Sequence, residues 1–208
     1  RMTHECAKSI VRRMHDPKFA SHYFVGQGLD VGGAPDPLSS FKPFFPLMTG
    51  CDTWDLPQGD GQFLETVADE TYDFLHSSHC LEHLVDPAVS LRNWLRVLKP
   101  GGHMVVMVPD EDLYEQGVFP STFNDDHKWT FTVFKTESWS ERSLNVVDLL
   151  RHIGPQAEVQ KIECLNSTFY HGVERFDQTR LPTTECAIEF VVRKRPASEV
   201  AAKGRLPA

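Results

Sequence analysis

Between Tyr72 and Pro109 the sequence spells out a strand, a helix and a second strand, with each boundary marked. Residues 72–78 (YDFLHSS) and 103–108 (HMVVMV) are apolar runs of strand length. Asp86 and Pro87 mark a helix start: the carboxylate can accept from first-turn N–H groups, and proline at the first helical position sacrifices no hydrogen bond. Val89, Trp94, Leu95 and Leu98 give that helix an apolar face, and Lys99-Pro100-Gly101-Gly102 stops it. Strands joined through a helix run parallel, and a parallel sheet is covered by helices. An α/β fold is therefore expected.

The 208 residues are 40% hydrophobic and 24% charged, which excludes wholesale disorder, collagen and coiled coils. A chain of this length can bury a core without metals or disulfides. No apolar run approaches the roughly 18 residues of a membrane span. Asp and Glu number 29 against 21 Lys and Arg, a formal charge of −8, which argues against general binding to a phosphate backbone. Five cysteines form no C-x-x-C pair and no secretory signal is visible, so reduced thiols and a cytoplasmic setting are expected.

Residues 3–15 carry Cys6, Ile10 and Met14 on one stripe and predict a short helix ended by Pro17. Gly28–Val31 is a short apolar run that breaks into Gly32-Gly33-Ala34-Pro35, a strand and then a tight loop. Pro35, Pro37, Pro43 and Pro46 make a long regular helix before residue 47 implausible. Ser140–His152 reads as a helix with Leu144, Val147, Leu150 and Arg151 together and Gly154 as its stop. Residues 157–165 and 185–193 read as strands, and 195–208 as a flexible tail.

Four patterns carry chemistry. Glycines after a buried strand let a ligand approach the backbone, as Asp30-Val31-Gly32-Gly33-Ala34 would allow. Asp52 lies 20 residues beyond Gly32, the spacing at which an acid holds ribose hydroxyls in nucleoside-binding folds, with Asp55 as a rival. Gly59-Asp60-Gly61-Gln62-Phe63 sets amide and carboxylate groups beside an aromatic ring, which suits adenine, although a plain turn has the same composition. In His79-Cys80-Leu81-Glu82-His83 the histidines are four apart, on one face if helical. Cys80 and Glu82 would then point away, and no zinc-like second cluster exists, so no metal is expected.

Residues 72–84 (YDFLHSSHCLEHL), followed by Arg96-Val97-Leu98-Lys99-Pro100-Gly101-Gly102, resemble class I S-adenosylmethionine-dependent methyltransferases, and more narrowly their methyltransferase type 11 branch. Asp30–Ala34 is similar to that family's first motif; the resemblance covers 28–110 closely and 111–194 more loosely. It implies a Rossmann-like, doubly wound, mostly parallel sheet of seven strands with an antiparallel last strand. Asp52 and Asp60 are only 8 residues apart, whereas a helix plus a strand takes roughly 15 or more, so a sheet trimmed to six is the alternative. A single domain over 1–194 is expected: an N-terminal helical segment (1–27), a cofactor half (28–110), an acceptor-side loop (111–135), then a helix and strands (136–194).

The resemblance further implies S-adenosylmethionine as cofactor. Asp30, Gly32, Gly33 and Ala34 would line its methionine and ribose part, Asp52 its ribose diol, and Asp60, Gly61 and Gln62 its adenine edge. Ser77, Ser78 and His79 would flank the amino-acid part and the transfer site. A histidine recurs in the acceptor-side connection of similar enzymes, which nominates His127 as base or positioning group, with His79 second. The expected acceptor is a small molecule, sugar-like or a biosynthetic intermediate, and not a nucleic acid. The glycine loop departs from the family pattern: Ala34 and Asp36 replace glycines, and Asp36 would oppose a cofactor carboxylate unless turned away. That departure keeps open a catalytically weak binding or scaffolding subunit. An NAD oxidoreductase would need a G-x-G-x-x-G loop, which is absent.

Overall fold

A computed structural model describes residues 4–204. In chain order the elements are α1 (Glu5–Met14), β1 (Gly26–Val31), β2 (Met48–Trp54), β3 (Tyr72–Ser78), α2 (Pro87–Val97), β4 (Leu98–Pro109), β5 (Thr130–Thr132), β6 (Ser143–Asn145), α3 (Val146–His152), β7 (Ala157–Leu165), β8 (Ala187–Lys194) and α4 (Ala197–Ala201). Six strands form one sheet in the order β2-β1-β3-β4-β8-β7. The pairs β2–β1, β1–β3 and β3–β4 are parallel, and β8 runs antiparallel to both β4 and β7. The sheet is thus the trimmed, six-stranded form with an antiparallel last strand. Residues 55–71 hold only turns where a helix and another strand would fit, which leaves β2 at the edge.

The central strands are apolar on both faces because both faces are covered. Leu75, Met104, Val106 and Val108 pack on one side with Trp94 and Leu95 of α2 and Leu149 and Leu150 of α3. Phe74, Val105 and Val191 pack on the other side with Cys6 and Ile10 of α1 and with Phe19, Tyr23, Phe24 and Phe45. Asp86 caps α2, its side chain accepting from Val89 N at 3.0 Å, a bond worth about 1 kcal/mol. The Trp94 indole N–H donates to the Gly61 carbonyl at 2.7 Å, tying α2 to the loop after β2. Gly102 is required where β4 starts: a Cβ there would lie 2.6 Å from the Asp73 carbonyl oxygen.

Three elements differ from the sequence reading. The buried face of α2 is Ser90, Leu91, Trp94, Leu95 and Val97, while Val89 is half-buried and Leu98 already belongs to β4. The helix expected from Ser140 begins only at Val146, because Ser143–Asn145 pairs with β5 and the Asn145 side chain caps Asp148 N at 3.1 Å. Its buried residues are Val146, Leu149 and Leu150. The chain after residue 194 continues into α4, whose buried Glu199 takes two bonds from Arg193 (2.8 and 2.7 Å). An ion-paired helix, not a flexible tail, therefore occupies 197–201. Residues 205–208 lie outside the described part. Among the described residues no helix is long and apolar enough to cross a membrane.

Candidate active site

The C-terminal ends of β1, β2 and β3 open onto a cavity of about 720 Å³, which residues 124–128 also line. Clefts outside the carboxyl ends of the strands are where open α/β sheets bind ligands. Gly32 turns the chain with φ of +76°, and a Cβ on Gly33 would stand 2.4 Å from the Asp30 carboxylate, so neither position accepts a side chain without disruption. Asp30 is buried and anchors this loop: one oxygen accepts from Leu38 N at 2.7 Å, and the other lies 2.7 Å from His76 Nδ1. Arg13 Nη1 lies 3.1 Å from His76 Nε2. Arginine can only donate, so His76 must accept at Nε2 and donate to Asp30 through Nδ1–H. Arg13 in turn pairs with Glu189 at 3.1 Å, both fully buried.

The residues expected at the cofactor divide in two. Asp30, Gly32, Gly33, Ala34, Gly61, Ser78, His79 and His127 line the cavity. Asp52, Asp60, Gln62 and Ser77 are not among the lining residues. Asp52 lies within β2, exposed, with the Tyr72 hydroxyl donating to it at 2.9 Å. The acid at the end of β2 is Asp55, which lines the cavity and accepts from Ala34 N at 3.0 Å. Asp55, the rival acid, thus lies three residues beyond Asp52 and is the one of the two that lines the cavity. Asp60 is exposed, the Gln62 side chain accepts from Asp86 N at 2.7 Å, and the Ser77 hydroxyl donates to the Val31 carbonyl at 2.9 Å. Asp36 lines the cavity, but one of its carboxylate oxygens is engaged by Ala7 N at 2.8 Å in the first turn of α1.

His79 and His83 do not share a helix. His79 stands in the left-handed region (φ 53°), and the chain then makes one short 3-10 turn at Leu81–His83. A non-glycine residue held there costs of order 1 kcal/mol, and such residues cluster at functional sites. Cys80 packs beneath Gly32, and Glu82, far from pointing away, sits at the centre of three imidazoles. Its Oε1 lies 3.7 Å from His79 Nδ1, 3.7 Å from His83 Nε2 and 3.8 Å from His127 Nε2, all beyond hydrogen-bond reach. Burial penalises the Glu82 carboxylate, yet His79, His83 and His127 outweigh it and hold its pKa at about 2. Burial likewise opposes a charged His79, but Glu82 and Glu5 raise its pKa above the ordinary value.

His127 reaches this centre because residues 126–129 are strapped to the turn 82–84. Lys128 N donates to the Glu82 carbonyl at 2.8 Å, Lys128 Nζ to the His83 carbonyl at 2.6 Å, and the Trp129 indole to the Leu84 carbonyl at 3.0 Å. His127 Nδ1 lies 2.7 Å from Glu115 Oε1, which leaves Nε2 as its free atom. Ser78 Oγ, both ring nitrogens of His79, both carboxylate oxygens of Glu82 and His127 Nε2 are buried without a hydrogen-bond partner among the described residues. Such groups are expensive unless something satisfies them. Glu5 of α1 adds an unpartnered Oε2, 3.7 Å from His79 Nε2, and burial raises the pKa of this carboxyl. Sequence reasoning missed Glu5 and Glu115, which come from distant segments with no motif around them.

A nucleoside sulfonium carrying an ammonium group suits this cavity: carboxylates from Glu5, Asp30, Asp55 and Glu82 line it, and Ser78 offers an unused hydroxyl. The family model described as a methyltransferase domain matches residues 2–154. No curated protein matches the chain. Among solved structures, a candidate methyltransferase of Bacillus halodurans superposes with TM-score 0.57 at 14% identity, over 90% of this chain and 99% of that one. A SAM-dependent methyltransferase of Archaeoglobus fulgidus gives TM-score 0.54 at 14% identity, over 92% and 95%. The [4+2]-cyclase SpnF gives 0.52 at 17% identity, over 91% and 82%. At these identities the likeness is one of fold.

Proposed function

The chain belongs to the methyltransferase domain family, and on that premise we propose that it moves a methyl group from S-adenosylmethionine to a small-molecule acceptor, sugar-like or a biosynthetic intermediate. The observation that carries this reading is that the Gly32–Gly33 loop, Asp55 and His127 all line one cavity at the carboxyl ends of the parallel strands. When bound, the sulfonium supplies an activated methyl group and a neutral leaving group, so the protein's work is alignment. Asp30 shapes the glycine loop from below and Asp55 is the acid offered to the ribose hydroxyls, with spare lone pairs beyond its bond to Ala34 N. Ser78 and His79 flank the donor's amino-acid end, and His127, held through Glu115, serves the acceptor. Free thiols at all five cysteines support a reducing, cytoplasmic setting. The −8 charge and acidic lining support a small or cationic acceptor over a nucleic acid.

The test uses isotopically labelled methyl donor, the purified protein and a cell extract, with products read by mass spectrometry. A labelled small molecule is expected with the native chain. With His127→Ala it should disappear while the affinity for S-adenosylhomocysteine stays within about twofold. Parallel loss of nucleoside binding would show that His127 does not serve the acceptor side.

A further inference from the structure

We propose that Glu82, His83 and His127 form a binding site for one divalent transition-metal ion, against the expectation from sequence that no metal is held. One donor atom from each residue lies within 4.8 Å of the other two. Ligands about 2.1 Å from a tetrahedral ion stand about 3.4 Å apart. The separations of 3.7 Å and 3.8 Å from Glu82 Oε1 to the two Nε2 atoms therefore need to close by only a few tenths of an ångström. The third side, between the imidazoles, needs a larger swing of rings that sit at the cavity wall.

Two features separate this group from an ordinary polar cluster. The first is the set of unmet needs: both Glu82 oxygens and His127 Nε2 are fully buried with no hydrogen-bond partner among the described residues. Native interiors rarely leave a carboxylate in that condition. The second is the support behind each imidazole. His127 Nδ1 lies 2.7 Å from Glu115 Oε1, and His83 Nδ1 lies 3.2 Å from the Asp126 backbone carbonyl. A carboxylate behind one histidine and a backbone carbonyl behind the other fix the tautomers and present Nε2 forward, which is how metal-bound histidines are held. The strap from Lys128 and Trp129 to the turn at 82–84 sets the spacing before any ion arrives.

Two imidazoles and one carboxylate suit zinc, manganese, cobalt or ferrous iron, whereas calcium and magnesium prefer oxygen ligands alone. Three protein ligands leave coordination positions for an oxygen donor from the cavity. Resting on the methyl-transfer reading, this assigns the acceptor to molecules with a metal-binding hydroxyl or pair of hydroxyls. The hydroxyl oxygen would be held at the ion and give its proton to water at the cavity mouth, its bond to the methyl carbon forming as the donor's sulfur–methyl bond breaks and leaves a neutral thioether. No electron changes hands and no co-reactant is needed.

The test is titration of the chelator-stripped, full chain with Co²⁺, followed by calorimetry and by visible absorption, with Zn²⁺ competition and Mg²⁺ as control. One Co²⁺ per chain, nitrogen-ligand absorption bands and displacement by Zn²⁺ but not Mg²⁺ are expected. Glu82→Gln and His83→Ala should each abolish that stoichiometric binding. His83 is the safer variant for folding, because its side chain is a quarter exposed at the cavity edge. Glu115→Gln should weaken binding about 10–100-fold without abolishing it. Native protein that binds no Co²⁺, or His83→Ala that is folded by circular dichroism and binds as the native chain does, would overturn the proposal. S-adenosylhomocysteine is titrated on the same sample. Nucleoside binding without metal sinks only the metal site, and metal binding without nucleoside sinks the methyl-transfer reading.

Discussion

Replacing Arg13 with Met removes one of three cations from a fully buried carboxylate. Glu189 accepts from Arg13 Nη2 at 3.1 Å, from Arg12 at 2.9 and 3.0 Å, and from Lys161 at 3.2 Å. Met keeps most of the apolar volume that Arg13 presents to Phe19 and Phe24. Breaking a buried pair costs 3–5 kcal/mol when the remaining charge is stranded; here Arg12 and Lys161 remain, so a loss near the lower bound, about 3 kcal/mol, is expected. For a chain of this length each kcal/mol moves Tm by roughly 2–4 °C, so calorimetry should read a fall of about 6–12 °C. Glu189→Met in the same chain should restore part of that loss, with a coupling of at least about 1 kcal/mol between the two sites. The same substitution takes the donor from His76 Nε2, frees the ring to change tautomer and loosens Asp30, so nucleoside affinity should fall as well. A Tm within about 2 °C of the native protein, or strictly additive single effects, would refute the view that this buried chain from Glu189 to Asp30 is a coupled support.

Asp55→Asn should weaken S-adenosylhomocysteine binding roughly tenfold, about 1.4 kcal/mol for a charged hydrogen bond, while Asp52→Asn leaves it unchanged; calorimetry on both variants decides which acid faces the ribose. His103→Gln should flatten the acid side of the stability curve. Burial, then Arg193 and His22, lower the folded pKa of His103 from 6.5 to about 4. Its contribution is therefore full above pH 6.5 and lost as pH falls toward about 4, a window in which urea melts of the native chain should decline more steeply than those of the variant.

The fold was legible where local chemistry is strong. Asp86 and Pro87 could hardly do anything but start a helix, and the runs at 72–78 and 103–108 could hardly avoid the sheet. The missing strand followed from counting, since the seven residues between Asp52 and Asp60 cannot hold a helix and a strand. The cavity lining was legible where it follows a strand directly, as at Gly32, Gly33, Ser78 and His79, and at Gly61 and His127 through the family resemblance. The spacing rule alone does not separate Asp52 from Asp55, because it carries no information on where β2 stops, and Trp54 ends it. Glu82 was misplaced because four-residue spacing suggests a helix, whereas His79 in the left-handed region turns the chain and brings Glu82 inward. Glu5 and Glu115 meet the site through tertiary packing of α1 and of the turn after β4, which no local pattern announces.

The most direct test of the account is a calorimetric titration of the purified chain with S-adenosylhomocysteine. One site per chain, weakened by Asp55→Asn and indifferent to Asp52→Asn, is the expected result. A folded protein that takes up no nucleoside at millimolar concentration would contradict it.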